Sequence, residues 1–142
     1  VTAEQTAKAC LLLPDTEFDR KSIVELAEFA VAEAEGNRFE LYFYVTRGLV
    51  AFRQGDLDEV SQWTGRVGAT TFPFLAETAD LISGMAAFQS ERSNENRQRL
   101  QRAINTAQQK TANWQPYGAL PGFFADRLVL EVLSHEAANL LK

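Results

Sequence analysis

The sequence predicts an all-α fold of about seven helices stacked as antiparallel pairs, and three observations carry that prediction. Breakers recur along the chain at Pro14-Asp15, Gly36-Asn37, Gly55-Asp56, Phe72-Pro73, Ser93-Asn94 and from Asn113 to Gly122. The segments between them have helix length and are rich in Ala, Leu, Glu, Gln and Arg, and few windows alternate as a half-buried strand must. A short pattern also repeats: Gly48-Leu49-Val50-Ala51-Phe52 returns 36 residues later as Gly84-Met85-Ala86-Ala87-Phe88.

The elements follow in order, with approximate bounds. The first helix covers about residues 2–12. The second covers about 18–35, started by Asp15 or Thr16 and ended by Gly36. The third covers about 39–54 and stops at Gly55. The fourth starts from Asp56 as N-cap and reaches about Val67. The fifth takes Pro73 into its first turn, where the missing N–H of proline costs nothing, and ends near Ser90. The sixth runs from Ser93 or Asn94 to about Lys110, and the seventh from about Phe123 to Leu141.

Apolar patterning places these helices in two layers. In the third, Leu41, Tyr44, Val45, Gly48, Leu49 and Phe52 share one face, while Tyr42, Phe43, Val50 and Ala51 make a second face apolar. A helix apolar over most of its circumference is covered on several sides. The fifth helix has the same character through Leu75, Ala79, Leu81, Ile82, Met85, Ala86 and Phe88. The sixth carries only the stripe Leu100, Ala103, Ile104 and Ala107, and belongs outside with one face buried. Alternation of broad-apolar with narrow-stripe helices is the signature of stacked pairs.

Composition bounds the function. The 142 residues form one domain, long enough for a core without metal or disulfide staples. The formal charge of −5 favours solubility and disfavours bulk nucleic-acid binding. Cys10 is the sole cysteine, so no internal disulfide forms. No apolar run approaches a membrane span, so no membrane partner is expected and the expected compartment is the cytoplasm. The chain opens at Val1 without an initiator Met, which reads as a piece excised from a longer protein.

A glycine in mid-helix costs about 1 kcal/mol against alanine. Two of them, each followed four residues on by Phe, read as two copies of one close helix approach. The competing reading is coincidence between two Ala-rich helices. The fourth helix is expected to map on the sixth at a spacing nearer 40, because Ser93 to Asn96 lengthen the second turn. Tyr44, Gly48, Gly55, Asp56, Val60 and Val67 resemble the tetratricopeptide-repeat pattern. The second copy keeps Gly84 and Phe88 but has Glu91-Arg92 at the turn. Arg47 stands where that pattern has leucine, Ala51 where it has an aromatic, and Pro73 falls about one residue late.

A closer resemblance covers the whole chain. Thr6-Ala7-Lys8-Ala9-Cys10-Leu11-Leu12-Leu13-Pro14, with Tyr44 to Phe52 and Arg53-Gln54-Gly55-Asp56, resembles the tetratricopeptide-like C-terminal regions of large bacterial serine/threonine protein kinases. That resemblance implies a short right-handed superhelix with a scaffolding or regulatory role. It implies no catalytic residue, since no kinase motif is present. By likeness to tetratricopeptide domains, the concave groove is lined by Tyr42, Val45, Leu49, Phe52 and Arg53 in the first copy and by Thr78, Leu81, Met85, Phe88 and Gln89 in the second. This lining suits an amphipathic helix or apolar segment of a partner or of the same parent chain. A capping helix is the competing occupant. The other alternative is an architectural or dimerisation domain with no groove ligand.

Chemistry is sparse. Cys10 precedes Leu11-Leu12-Leu13 and reads as a core thiol, and His135 reads as a solvated residue, so neither supports an enzyme. No zinc-ligand spacing occurs, and Gly65-Arg66-Val67-Gly68 lacks the strand and lysine of a phosphate loop, so no metal or cofactor is expected. It reads as a helix end. Arg92, Arg97, Arg99 and Arg102 form a basic cluster, whose ordinary reading is a solvated face and whose sharper one is an acidic-peptide or phosphate site. Trp63 reads as a packing residue. Trp114 and Tyr117 either fold back over the last helices or stand out as an anchor, the first being favoured.

Overall fold

The computed structural model describes residues 3–12, 20–34, 36–37, 39–114 and 121–142. The Pro14-Asp15 turn, the caps expected at Asp15 or Thr16, and Tyr117 lie outside the described residues. Among the described residues seven helices form, α1 (Ala3–Leu11), α2 (Arg20–Ala34), α3 (Glu40–Gln54), α4 (Leu57–Gly65), α5 (Leu75–Ser90), α6 (Asn94–Asn113) and α7 (Pro121–Leu140), and no strand.

Each helix packs on its successor, and the odd-numbered helices also pack in series, α1 on α3, α3 on α5 and α5 on α7. The odd helices form an inner layer and α2, α4 and α6 an outer one. The core sits between the layers. Leu49, Leu81, Ile82, Met85, Leu100, Leu130 and Leu133 are sealed from water. The outer helix α6 buries its stripe of Leu100, Ile104 and Ala107, with Ala103 half-buried, as a narrow-stripe helix should.

The glycines explain how closely the layers meet. A β-carbon on Gly48 would stand 3.0 Å from Thr64 Cγ2 of α4, and one on Gly84 would stand 3.2 Å from Leu100 Cδ1 of α6. Thr64 and Leu100 are themselves 36 residues apart, the spacing of the glycines. The repeat therefore holds one register in both layers, and the spacing near 40 expected for the outer helices is corrected. The second turn, residues 91–93, is only one residue longer than Gly55-Asp56.

The two turns close by different chemistry. In the first, Gly55 takes φ 77°, which glycine adopts without strain, and Asp56 N–H donates to the Ala51 carbonyl at 2.9 Å. Asp56 then accepts from Glu59 N–H at 3.0 Å as N-cap of α4. The second turn has no glycine. Asn96 Nδ2 reaches back to the Glu91 carbonyl just past α5 at 2.9 Å and to the Ala87 carbonyl at 3.2 Å, which also accepts from Glu91 N–H. Ser93 Oγ caps α6 by accepting from Asn96 N–H.

Several boundaries differ from expectation: α6 runs to Asn113, three residues past Lys110, and α7 opens at Pro121, two residues before Phe123. Pro73 lies ahead of α5 rather than in its first turn, because Phe74 takes φ 67° and the helix begins at Leu75. That left-handed geometry costs about 1–2 kcal/mol in a non-glycine residue. It accompanies burial of the Phe74 ring against Trp114, centroids 6.0 Å apart. The Phe74 carbonyl also accepts from Thr78 Oγ1 at 2.7 Å. Helix α4 stops at Gly65, two residues short of Val67, which is buried beyond the helix end before Gly68 turns the chain at φ 57°.

Candidate functional site

The ten groove residues fall on α3 and α5, which pack on α1 and on α7 respectively. Val45, Leu49, Phe52, Thr78, Leu81, Met85 and Phe88 are buried within the chain's own core. Tyr42 and Arg53 are half-buried, and Gln89 is exposed. The expected trough residues are thus mostly closed within the chain's own core.

Arg53 sits at the meeting point of those two helices. Its Nε donates to the Leu11 carbonyl at 2.9 Å, filling an acceptor that the end of α1 leaves open. Its two terminal nitrogens both bond to Glu136 of α7, Nη2 lying 2.7 Å from Oε2 and Nη1 meeting Oε1. This two-point geometry is what the planar guanidinium favours with a carboxylate. Lys8 adds a second tie between the same helices. Its ammonium lies 3.5 Å from Asp126 and 5.3 Å from the Tyr42 ring centroid, and the residue is buried. A carboxylate and an aromatic face thus receive the buried side chain.

Arg47 ties α2, α3 and α4 together. Its guanidinium reaches Glu28 at 3.4 Å and Glu59 at 3.3 Å and stacks 5.4 Å from the Trp63 ring. Arg66 covers the same indole at 4.5 Å, and Tyr44 lies 5.7 Å from it. Trp63 is a half-buried packing residue, as expected, but its packing is largely cationic and aromatic.

Among the remaining candidates, Cys10 is partly buried and packed against the core, while His135 is exposed on α7. Arg92 and Arg97 lie over Phe88 at 5.6 and 5.5 Å, and Arg97 also donates to the Leu141 carbonyl at 2.8 Å. Arg99 donates to Ser83 Oγ at 2.7 Å. Arg92 and Arg97 thus point to Phe88 and Arg99 to Ser83, away from a single point. Trp114 is half-buried between Phe74 and Arg127, so it folds back on the helices.

A cleft of about 630 Å³ opens between α4, α5 and α6, where the short α4 leaves part of α5 uncovered. Its walls include Gly65, Gly68, Ala76 and Ala79, with Asp80 and Arg99 on its rim. Burial and the neighbouring Glu77 hold the Asp80 carboxyl above the ordinary aspartate range, with Arg99 opposing. Sequence reasoning missed this cleft, because it depends on how far α4 extends rather than on any motif. Among the described residues, no group of three or more His, Cys, Asp and Glu side chains is placed to hold a metal ion. Nor is any described helix long and apolar enough to cross a membrane.

Comparison with known proteins finds no matching family model, no matching curated protein and no matching solved structure.

Proposed function

We propose that this chain is a non-catalytic protein-interaction and scaffolding module of tetratricopeptide-like design, whose inner layer receives a helix. The observation that carries this reading is the position of Arg53. It lies at the edge of an apolar floor and grips both the carbonyl end of one helix and an acidic side chain of another. Such a site selects a helix with an apolar stripe and a carboxylate in register. In this chain α1 and α7 fill that role. A partner helix, or one from the same parent chain, acts by exchanging with them. Within this reading the stack is right-handed, the setting is the cytoplasm, and the parent is a bacterial serine/threonine kinase carrying this module as its C-terminal regulatory part.

A second reading has its own support. The sealing of Leu49, Leu81 and Met85 favours a spacer whose trough is permanently filled by its own helices. One titration separates the two. A fluorescent peptide of residues 121–142 is added to the full chain and its anisotropy followed. Exchange predicts saturable binding, weakened by Glu136→Arg in the peptide and recovered when that peptide meets Arg53→Glu protein. No saturable binding contradicts exchange and leaves the spacer.

A further inference from the structure

The cleft between α4, α5 and α6 holds two opposite charges that do not meet. Asp80 and Arg99 both border it, and neither forms an ion pair among the described residues. The neighbouring Glu77, by contrast, is committed to Lys110 at 3.1 Å. Asp80 and Ser83 lie three residues apart on α5 and so share one face. Arg99 Nη2 donates to Ser83 Oγ at 2.7 Å. That bond holds the guanidinium about one helical turn from Asp80 and leaves it donors to spare. The walls between the two charges are small, with Gly65, Gly68, Ala76 and Ala79 among them. At about 630 Å³ the space lies within the range of small-ligand sites.

We propose that this cleft binds a free α-amino acid with an apolar side chain, its ammonium on Asp80, its carboxylate on Arg99 and its side chain against Ala76 and Ala79. The argument is the order of charges. A simple cation is attracted by Asp80 and repelled by Arg99, and a simple anion meets the reverse. A zwitterion satisfies both ends with charge-assisted hydrogen bonds. The incoming ammonium also offsets what burial and Glu77 do to Asp80, since both disfavour its carboxylate and raise its pKa. The preference for an apolar side chain comes from the alanines, which offer contact and no hydrogen bond. Arg99 and Asp80 are exposed at the rim, so the affinity is modest, with a Kd of about 1 mM. This binding does not rest on the scaffolding reading, because the cleft is lined from α4 to α6 and not by the trough.

The test is a titration of the isotopically labelled full chain, followed by amide chemical shifts. The probes are L-leucine, L-leucinamide, which lacks the carboxylate, and isocaproate, which lacks the ammonium. Leucine should shift the Gly65, Gly68 and Ser83 amides saturably, and the other two probes should bind about tenfold more weakly or worse. Asp80→Asn should weaken leucine about tenfold and leave isocaproate no weaker, whereas Arg99→Gln should weaken leucine and leave leucinamide no weaker. Gly65→Leu should block leucine while keeping the circular dichroism of the wild type, since a β-carbon there meets no neighbouring atom within 4 Å. Absence of saturable shifts overturns the proposal, as do shifts centred outside the cleft. So does leucinamide or isocaproate binding as tightly as leucine, because the two charges then do not read the ligand.

Discussion

Arg53 of α3 and Glu136 of α7, 83 residues apart in sequence, form a two-point ion pair at the edge of the trough, with Nη2 2.7 Å from Oε2. The same guanidinium holds the end of α1 through the Leu11 carbonyl. One side chain on α3 therefore ties α1 and α7 to the same point.

Truncating that side chain leaves Glu136 and the Leu11 carbonyl without their donor. The Glu136 side chain keeps 26% of its surface in water, so Arg53→Ala is expected to cost about 1–3 kcal/mol in denaturant unfolding. Amide hydrogen exchange in α7 should accelerate more than exchange in α4 or α6.

Arg47 leads to a different expectation. Its acidic partners are largely solvated, Glu28 with 57% and Glu59 with 41% of the side chain exposed. Removing the arginine strands no buried charge. Arg47→Leu, which restores the residue of the repeat pattern, should lie within about 1.5 kcal/mol of wild type. Arg47→Glu places a third carboxylate between two others at a buried position and should cost about 3 kcal/mol or more. Equilibrium unfolding in urea compares the two.

Ser134 on α7 has a buried hydroxyl with no hydrogen-bond partner among the described residues. Replacing it with alanine removes an unsatisfied polar atom and improves helix propensity. Ser134→Ala should therefore be neutral or stabilising by up to about 1 kcal/mol, read as a rise in melting temperature.

The cleft carboxylate gives a pH signature. Burial first, and then Glu77, raise the folded pKa of Asp80 above its ordinary value of 3.8. The folded chain then binds this proton more tightly than the unfolded chain. The contribution of the group to stability is full below the unfolded pKa and is lost as pH rises through the folded one. Asp80→Asn, which stays neutral, should accordingly be slightly more stable than wild type at pH 7. That advantage should vanish as pH falls below the unfolded value, which thermal melts across the acidic range will show.

Much of this architecture was legible in the sequence, because local signals dictate it. Gly36 and Gly55 mark helix ends with the left-handed backbone they favour, and Asp56 and Ser93 cap the helices expected of them. Gly48 and Gly84 announced the close approaches of the outer helices. The length of the second turn was not legible, since Asn96 closes it from inside α6 without a glycine signal. Phe74 displaced the start of α5 past Pro73, and no local propensity favours its backbone. The burial of most of the expected groove residues was not legible. The pairs that close the trough, Lys8–Asp126 and Arg53–Glu136, join residues more than eighty positions apart, and no periodicity reports such a contact.

The central claim is that the chain is built from two copies of one glycine-mediated helix contact. A double-mutant cycle on Gly48 and Thr64 tests it most directly. Gly48→Ala gains about 1 kcal/mol of helix propensity. The new methyl group must nevertheless meet the stiff, buried Thr64 side chain, whose Cγ2 lies 3.0 Å from the β-carbon position. The account predicts a net loss of about 1–3 kcal/mol for Gly48→Ala. It also predicts that adding Thr64→Ser, which removes the obstructing methyl and keeps the hydroxyl bonded to the Val60 carbonyl, recovers at least about half of that loss. A Gly48→Ala variant more stable than wild type, or two substitutions whose effects simply add, contradicts it.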